Sequence, residues 1–142
     1  MSDFASVYTD LVGAFDAAWA IAEPDVDVLH DNEPRFDPPK NPKSGEEWAR
    51  FRVLHGQGAL PEIGSDTSES GGRVVVEIHV GLGRGVARSN AMASKVRDIF
   101  QGKRIGGVRC YESEEVVIGA DSGNIWFQVN VSTRFRFEST PV

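Results

Sequence analysis

One cysteine in 142 residues, Cys110, leaves no partner for an internal disulfide and no set of thiolates for a metal cluster. Val108 and Tyr111 beside it read as strand, so the thiol is expected to pack rather than to react, in a reducing cytoplasm. Long apolar runs are also lacking: no stretch reaches the length of a bilayer span, which excludes a transmembrane helix. The start, Met1-Ser2-Asp3-Phe4, has neither the basic residues nor the apolar core of a signal peptide. Hydrolase chemistry finds no foothold, because Gly-x-Ser-x-Gly is missing and no serine sits in a nucleophile motif. His55 and His79 lie on separate strands without zinc-ligand spacing. His30-Asp31-Asn32-Glu33 lacks the alternating acids, central glycine and closing glutamate of a calcium loop, and reads as an exposed acidic loop. Neither a cofactor nor a metal is implied.

What is present suits one soluble domain over 1–142: 40% hydrophobic and 25% charged residues, with enough chain to bury a core unaided. The net charge of −6 argues against nucleic acid as the main ligand, and its distribution says more. Residues 1–37 hold nine acids against one base, Arg35. Residues 84–109 hold seven bases against one acid, Asp98. Two solvated faces would satisfy this pattern. So would a head-to-tail ring in which one copy's acidic surface meets the next copy's basic one.

Periodicity predicts a helix over 3–22, with Phe4, Val7, Tyr8, Leu11, Phe15, Ala18, Ile21 and Ala22 on its apolar stripe. Ser2 or Asp3 caps its start and Pro24 stops it. A short strand at 26–29 follows, then a proline-rich passage over 31–45 that runs extended, then a strand at 48–55. Residues 56–72, rich in Gly, Ser and acids, read as a long loop. Val74, Val76, Ile78 and Val80 alternate with Arg73, Glu77 and His79 in a strand over 73–80. A second helix spans 86–100 with Val86, Met92, Ala93, Val96, Ile99 and Phe100 as its stripe, ended by Gly102. Strands are expected at 104–111, 114–119 and 124–138, with Glu112, Glu114 and Glu115 at a hairpin turn. The fold class is therefore α+β: a mostly antiparallel (mixed) sheet of about five to six strands, two helices on one face, in the order α-β-β-β-α-β-β-β.

In the last strand Ile125, Phe127, Val129, Val131, Thr133, Phe135 and Phe137 share one face, and Trp126, Gln128, Asn130, Ser132, Arg134 and Arg136 the other. Fifteen extended residues span about 50 Å, against roughly 35–40 Å for a compact domain of this size. The strand must bend, with Ser132-Thr133 as the expected bulge, or overhang the domain toward a neighbouring subunit. Gly81-Leu82-Gly83-Arg84-Gly85 sits between strand and helix, where phosphate-binding loops occur. Arg88 stands where the third glycine of G-x-G-x-x-G would be, and a tight strand-to-helix turn needs glycines just as much.

The order of these features resembles the tail-terminator (minor tail protein U-like) family of long-tailed phages and prophages. The likeness runs from Phe4 to Phe137 through Asn32-x-x-x-Phe36-x-x-Pro39, Trp48-Ala49-Arg50-Phe51-Arg52-Val53 and Gly56. It continues through Arg73-Val74-Val75-Val76-Glu77-Ile78, Gly83-x-Gly85-x-Ala87, Val96-Arg97-Asp98-Ile99-Phe100, Gly107-Val108 and Phe135-x-Phe137. Gly71-Gly72-Arg73 departs from the family, which places a glycine after the arginine. The resemblance implies a non-enzymatic protein that forms a ring, commonly hexameric, on the head-proximal end of the tail tube. That ring halts tube polymerisation and offers a surface to head-completion (connector) proteins, in the host cytoplasm during assembly and then in the virion. DNA passes its lumen without specific binding, and no membrane is involved. Candidate contact residues between subunits or with the tube are Arg73, Arg84, Arg88, Arg134 and Arg136, with Asp25, Asp27, Asp31, Glu62 and Asp66. Three other readings share these residues: a head–tail connector or neck protein, a nucleotide- or phosphate-binding protein using Gly81–Gly85, and a nucleic-acid binder using the basic span 84–109.

Overall fold

The computed structural model describes residues 3–31, 47–56, 68–83, 85–123 and 125–139, with backbone alone at Ser68, Glu69 and Ser139. The elements are α1 (Phe4–Ala22), β1 (Asp27–His30), β2 (Trp48–His55), β3 (Ser68–Gly81), α2 (Ala87–Phe100), β4 (Arg104–Ile105), β5 (Val108–Ala120) and β6 (Trp126–Ser139). They build one six-stranded sheet in the order β1-β2-β3-β6-β5-β4, in which β1 and β2 run parallel and the other neighbours antiparallel. Two helices on a mixed sheet is the α+β architecture that the sequence predicts.

Asp3 starts α1 with a full capping box: its carboxylate accepts from the Ser6 amide at 2.8 Å, and its own amide donates to Ser6 Oγ at 3.1 Å. The buried stripe of α1 is Val7, Leu11, Phe15 and Trp19, a strict four-residue step. That is rotated from the expected stripe: Trp19 is in the core, while Ile21 is 85% exposed. Phe15 is the aromatic hub, stacked on Trp19, Phe51 and Phe100 with ring centroids 5.3, 5.0 and 6.1 Å away. Met92, Ala93, Val96 and Phe100 of α2 close the core against Val74, Val76 and Ile78 of β3 and Phe135 of β6.

The loop expected over 56–72 is shorter than its composition suggests, because β3 already begins at Ser68 and pairs with β6 without a break from Ser68↔Ser139 to Gly81↔Trp126. Gly71 and Gly72 lie inside this strand for steric reasons. A Cβ on Gly72 would strike the Leu54 carbonyl oxygen and come within 2.9 Å of the Phe135 ring, and one on Gly71 would lie 2.7 Å from the Phe135 carbonyl. This crossing of three backbones accounts for glycines before Arg73.

The fourteen-residue β3–β6 ribbon is about 45 Å long, and the bend arises beside it rather than in β6. β5 carries the irregularities, between Cys110 and Ser113 opposite Phe135 and Thr133, and between Val117 and Gly119 opposite Val129 and Gln128. The first lies next to the expected Ser132-Thr133 position but on the partner strand. Its displaced backbone is satisfied from α2: Gln101 Oε1 accepts from the Ser113 amide at 3.1 Å, and Arg97 donates to the Ser113 carbonyl at 3.3 Å. Ser113 and Thr133 share a buried hydroxyl hydrogen bond of 2.7 Å beneath it. The hairpin expected at Glu112–Glu115 is instead at Gly106-Gly107, where Gly106 takes φ 57° and a side chain would meet the Asp10 carboxylate. Glu112, Glu114 and Glu115 thus sit within one continuous strand.

Candidate interaction surface

Alternation along the strands sends Trp48, Arg50 and Arg52 of β2, Arg73, Glu77 and His79 of β3, and Trp126, Arg134 and Arg136 of β6 to the face away from the helices. At one end of this face Trp48 stacks on His79 at 3.8 Å, and Trp126 meets Trp48 edge-on at 6.2 Å. This packing leaves Trp126 only 5% exposed on the face that carries the polar residues of β6. Glu77 accepts from His79 at 3.4 Å; that bond, aided by Arg50 and Arg52, holds its carboxyl below the usual range against the opposing effect of burial. Asp31 bridges Arg50 at 3.2 Å and Arg52 at 3.6 Å.

At the other end the register sets arginines directly opposite one another. Arg73 faces Arg134 across β3–β6, Arg136 faces Arg109 across β6–β5, and Arg109 faces Arg104 across β5–β4. All five are exposed. Like charges in directly opposed positions destabilise a sheet. Arg73 donates to Ser132 Oγ at 3.0 Å, and the Arg134 guanidinium lies 5.1 Å over the Tyr111 ring. Arg73, Arg104, Arg109 and Arg134 form no ion pair among the described residues. Arg73, Arg134, Tyr111, Glu112 and Glu114 line a hollow of about 490 Å³ on this surface.

The acidic candidates divide. Asp31 is engaged with Arg50 and Arg52, while Asp25 and Asp27 are exposed at the α1–β1 turn and make no ion pair among the described residues. Arg88 clamps Glu23 through two bonds of 2.7 and 2.6 Å and approaches Glu47 at 3.4 Å. Lys95 joins the same carboxylate at 2.5 Å and donates to the Ala22 carbonyl at 3.2 Å, closing the C-terminal end of α1. The two cations, Arg88 first, hold the Glu23 carboxyl below its ordinary value despite burial. Arg84, Glu62 and Asp66 lie outside the described residues. Arg104 and Arg109 were not among the sequence candidates; only the strand register joins them to Arg136.

Nothing described gathers into a catalytic or metal constellation. Cys110 is buried, and desolvation pushes its thiol up to about 11, so at neutral pH it is not a nucleophile. Among the described residues no group of three or more His, Cys, Asp or Glu could hold a metal ion. No helix among them is long and apolar enough to cross a membrane. Gly83 and Gly85 take φ values of 85° and 77°, so the glycines between β3 and α2 serve the turn.

Comparison with known proteins supplies what local chemistry does not. No curated protein matches the chain. Among the solved structures that match, one shares the fold with a TM-score of 0.63 at 16% identity, covering 95% of this chain and 98% of the other. A family model described as phage tail terminator protein matches residues 9–135. That span includes both helices nearly whole, all of β1–β5, and β6 through Phe135. The chain belongs to the phage tail terminator family.

Proposed function

We propose that this chain ends the growth of a phage tail tube. Copies of it close into a ring, hexameric in the family pattern, on the head-proximal end of the tube. The ring blocks addition of further tube subunits and presents its free side to a head-completion (connector) protein. DNA passes through the lumen without specific binding, kept off the wall by like charge in a chain of net charge −6. The match to the tail-terminator model over residues 9–135 carries this reading. The fold supports it: surface charge is segregated, and the β3–β6 ribbon continues past β2, which ends at His55↔Gly72 while Ser68–Gly71 still pair with β6. A ring needs two different surfaces on each copy that fit one another, and a charge-segregated domain offers them.

The decisive experiment polymerises the cognate tube protein with and without this chain. Capped tubes of restricted length, with density from this chain at one end in electron micrographs, are expected. Tubes of the same uncontrolled length in both reactions would overturn the terminator reading. Retention of a portal or adaptor protein but not of tube protein would instead identify a neck component.

A further inference from the structure

We propose that the open edge of β5 in one copy of this chain adds to β1 of the next, Val117 and Val116 pairing with Val28 and Leu29, so that one sheet continues from subunit to subunit. The proposal deepens the ring reading and rests on it.

Three observations lead here. First, β5 is left open along its outer side. β4 pairs with it only at Val108 and Arg109, and α2 serves its backbone at Ser113. From Glu114 to Ala120 it has β6 on one side and, among the described residues, no strand on the other. Val116, Val117 and Ile118, 44, 63 and 53% exposed, make an apolar run there with no charge among them. Such an edge is a template for another strand, and isolated subunits usually cover it or guard it with charge. Second, the opposite edge of the sheet is β1, and the register carries both edges to the same height. One row runs from Val28 through Ala49, Ile78 and Val129 to Val117; the next runs from Leu29 through Arg50, Glu77 and Asn130 to Val116. Each step from β2 through β3 and β6 to β5 is antiparallel, so β5 runs opposite to β2 and to its parallel neighbour β1. Copies set side by side in the same sense therefore bring two antiparallel edges together, helices on the same face. Third, the rows match in chemistry on both faces. Val28 and Val117 share the helix side with Ile78, and Leu29 and Val116 share the other side with Glu77, so each apolar side chain meets another.

Charge agrees with the pairing. One row past the end of β1, Arg52 aligns with Glu114 through Val75 and Ser132. Arg52 meets its own carboxylates, Asp31 and Glu77, only at 3.6 and 3.8 Å, and Glu114 forms no ion pair among the described residues. The added strand brings this carboxylate of one copy toward that guanidinium of the next. A twofold pairing of two β5 edges is the competing arrangement; it leaves β1 open and gives Glu114 no base. The β5–β1 contact is heterologous, uses both edges of every copy, and closes into a ring when repeated around an axis. The irregularity between Val117 and Gly119 and the shortness of β1 confine the ladder to Glu115–Val117 against Val28–His30. Each joint is thus short, and a closed ring holds every copy by two of them.

Two double-cysteine variants of the full chain test the contact: Val116→Cys with Leu29→Cys, and Val117→Cys with Val28→Cys. Opposed Cα atoms in an antiparallel pair lie about 4.5–5.5 Å apart, within reach of a disulfide. The two positions stand at opposite edges of one sheet, so only a second copy can join them. Under a mild thiol oxidant, at concentrations where wild type sediments as an oligomer, non-reducing electrophoresis is expected to show a ladder of linked copies that a reductant collapses. Leu29→Cys with Glu114→Cys, two residues out of register, should lose most of that ladder, and wild type, whose Cys110 is buried, should show none. Independently, Val116→Lys changes an exposed side chain, so circular dichroism should match wild type while the assembly dissociation constant rises at least about tenfold. Adding Leu29→Glu to the same chain should restore assembly, because every joint then sets the introduced acid opposite the introduced base. If wild type assembles but the in-register pairs link no better than the offset pair, or Val116→Lys assembles equally well, this contact is wrong while the ring reading stands. If wild type remains monomeric at all concentrations and on tube ends, the ring reading falls and takes the contact with it. If Val116→Lys keeps self-assembly but no longer caps tubes, the edge docks tube protein and the proposal is overturned.

Discussion

At the corner where α1 meets α2, one buried carboxylate, Glu23, receives Arg88 and Lys95, and every charge is answered inside the chain. At the corner of β4, β5 and β6 the register sets arginines opposite one another, and Arg73, Arg104, Arg109 and Arg134 form no ion pair among the described residues. Both corners are rich in cations and both draw on the basic stretch 84–109, Arg88 and Lys95 in the first and Arg104 and Arg109 in the second, but they differ in kind. The first is part of how the subunit folds: it closes the C-terminal end of α1 and locks it to α2. The second sets like charges directly opposite one another, an arrangement that destabilises a sheet. A sequence count of bases cannot separate the two.

The sharpest way to break this comparison is to remove Glu23. Glu23→Ala leaves Arg88 and Lys95 without their common anion and uncovers the Ala22 carbonyl end of α1. The loss should be about 2 kcal/mol, below the roughly 3–5 kcal/mol for breaking a fully buried pair, because both cations are 38% exposed. Urea unfolding should show a lower midpoint at unchanged slope. A midpoint equal to wild type would mean that this cluster does not hold the helices together.

A smaller effect comes from titrating the same carboxylate. Its folded pKa lies below the ordinary 4.5, so the stability it contributes is present above that value and lost as pH falls through the lower folded one. Wild type should therefore lose stability steeply below about pH 4.5, with Glu77, also held low, adding to the slope. Glu23→Gln should flatten the fall without abolishing it. Identical acid profiles for the two proteins would assign the whole effect to other carboxylates.

How far each corner was legible in the sequence follows from the range of the interactions that make it. Local rules placed both helices and β2 to within a residue, because capping residues, Pro24 and 3.6-residue periodicity act over one or two turns. They failed where a competing local signal was stronger. Four polar residues at 112–115 read as a turn, yet the chain continues through them as strand because α2 supplies Gln101 and Arg97 to the displaced backbone at Ser113. Gly71 and Gly72 read as loop, yet they are demanded by the close approach of Leu54 and Phe135, residues far away in the chain. Arg73, Arg134 and Arg136 were identifiable as outward-facing by alternation. Their alignment with Arg104 and Arg109 depends on strand register, and so does the contrast with Arg88. The family likeness was visible in the order of motifs.

The arginine corner makes the opposite prediction to Glu23: substitution should stabilise the isolated subunit. Arg109 is the most informative position because it faces two arginines at once, Arg104 and Arg136. Arg109→Thr keeps good strand propensity while removing both oppositions, and should stabilise the monomer by about 0.5 kcal/mol. A subunit destabilised by this change would show that Arg109 has an internal partner, and the two corners would no longer differ in kind.

Salt gives the smallest and most specific test. Exposed charges are screened within about 8–10 Å at moderate ionic strength, so added sodium chloride should relieve the repulsion among Arg104, Arg109 and Arg136. The chain's overall charge of −6 is screened at the same time, so the wild-type response alone is ambiguous. The difference between wild type and Arg109→Thr removes that common part. Stabilisation by salt should be larger in wild type by about 0.3 kcal/mol, and the two unfolding midpoints should converge as salt rises. Glu23→Gln should show no such convergence from the same side, because salt weakens an attraction there rather than a repulsion. Parallel salt curves for wild type and Arg109→Thr would mean that the arginines are already kept apart in the free subunit, and the two corners would then not differ in the sign of their electrostatics.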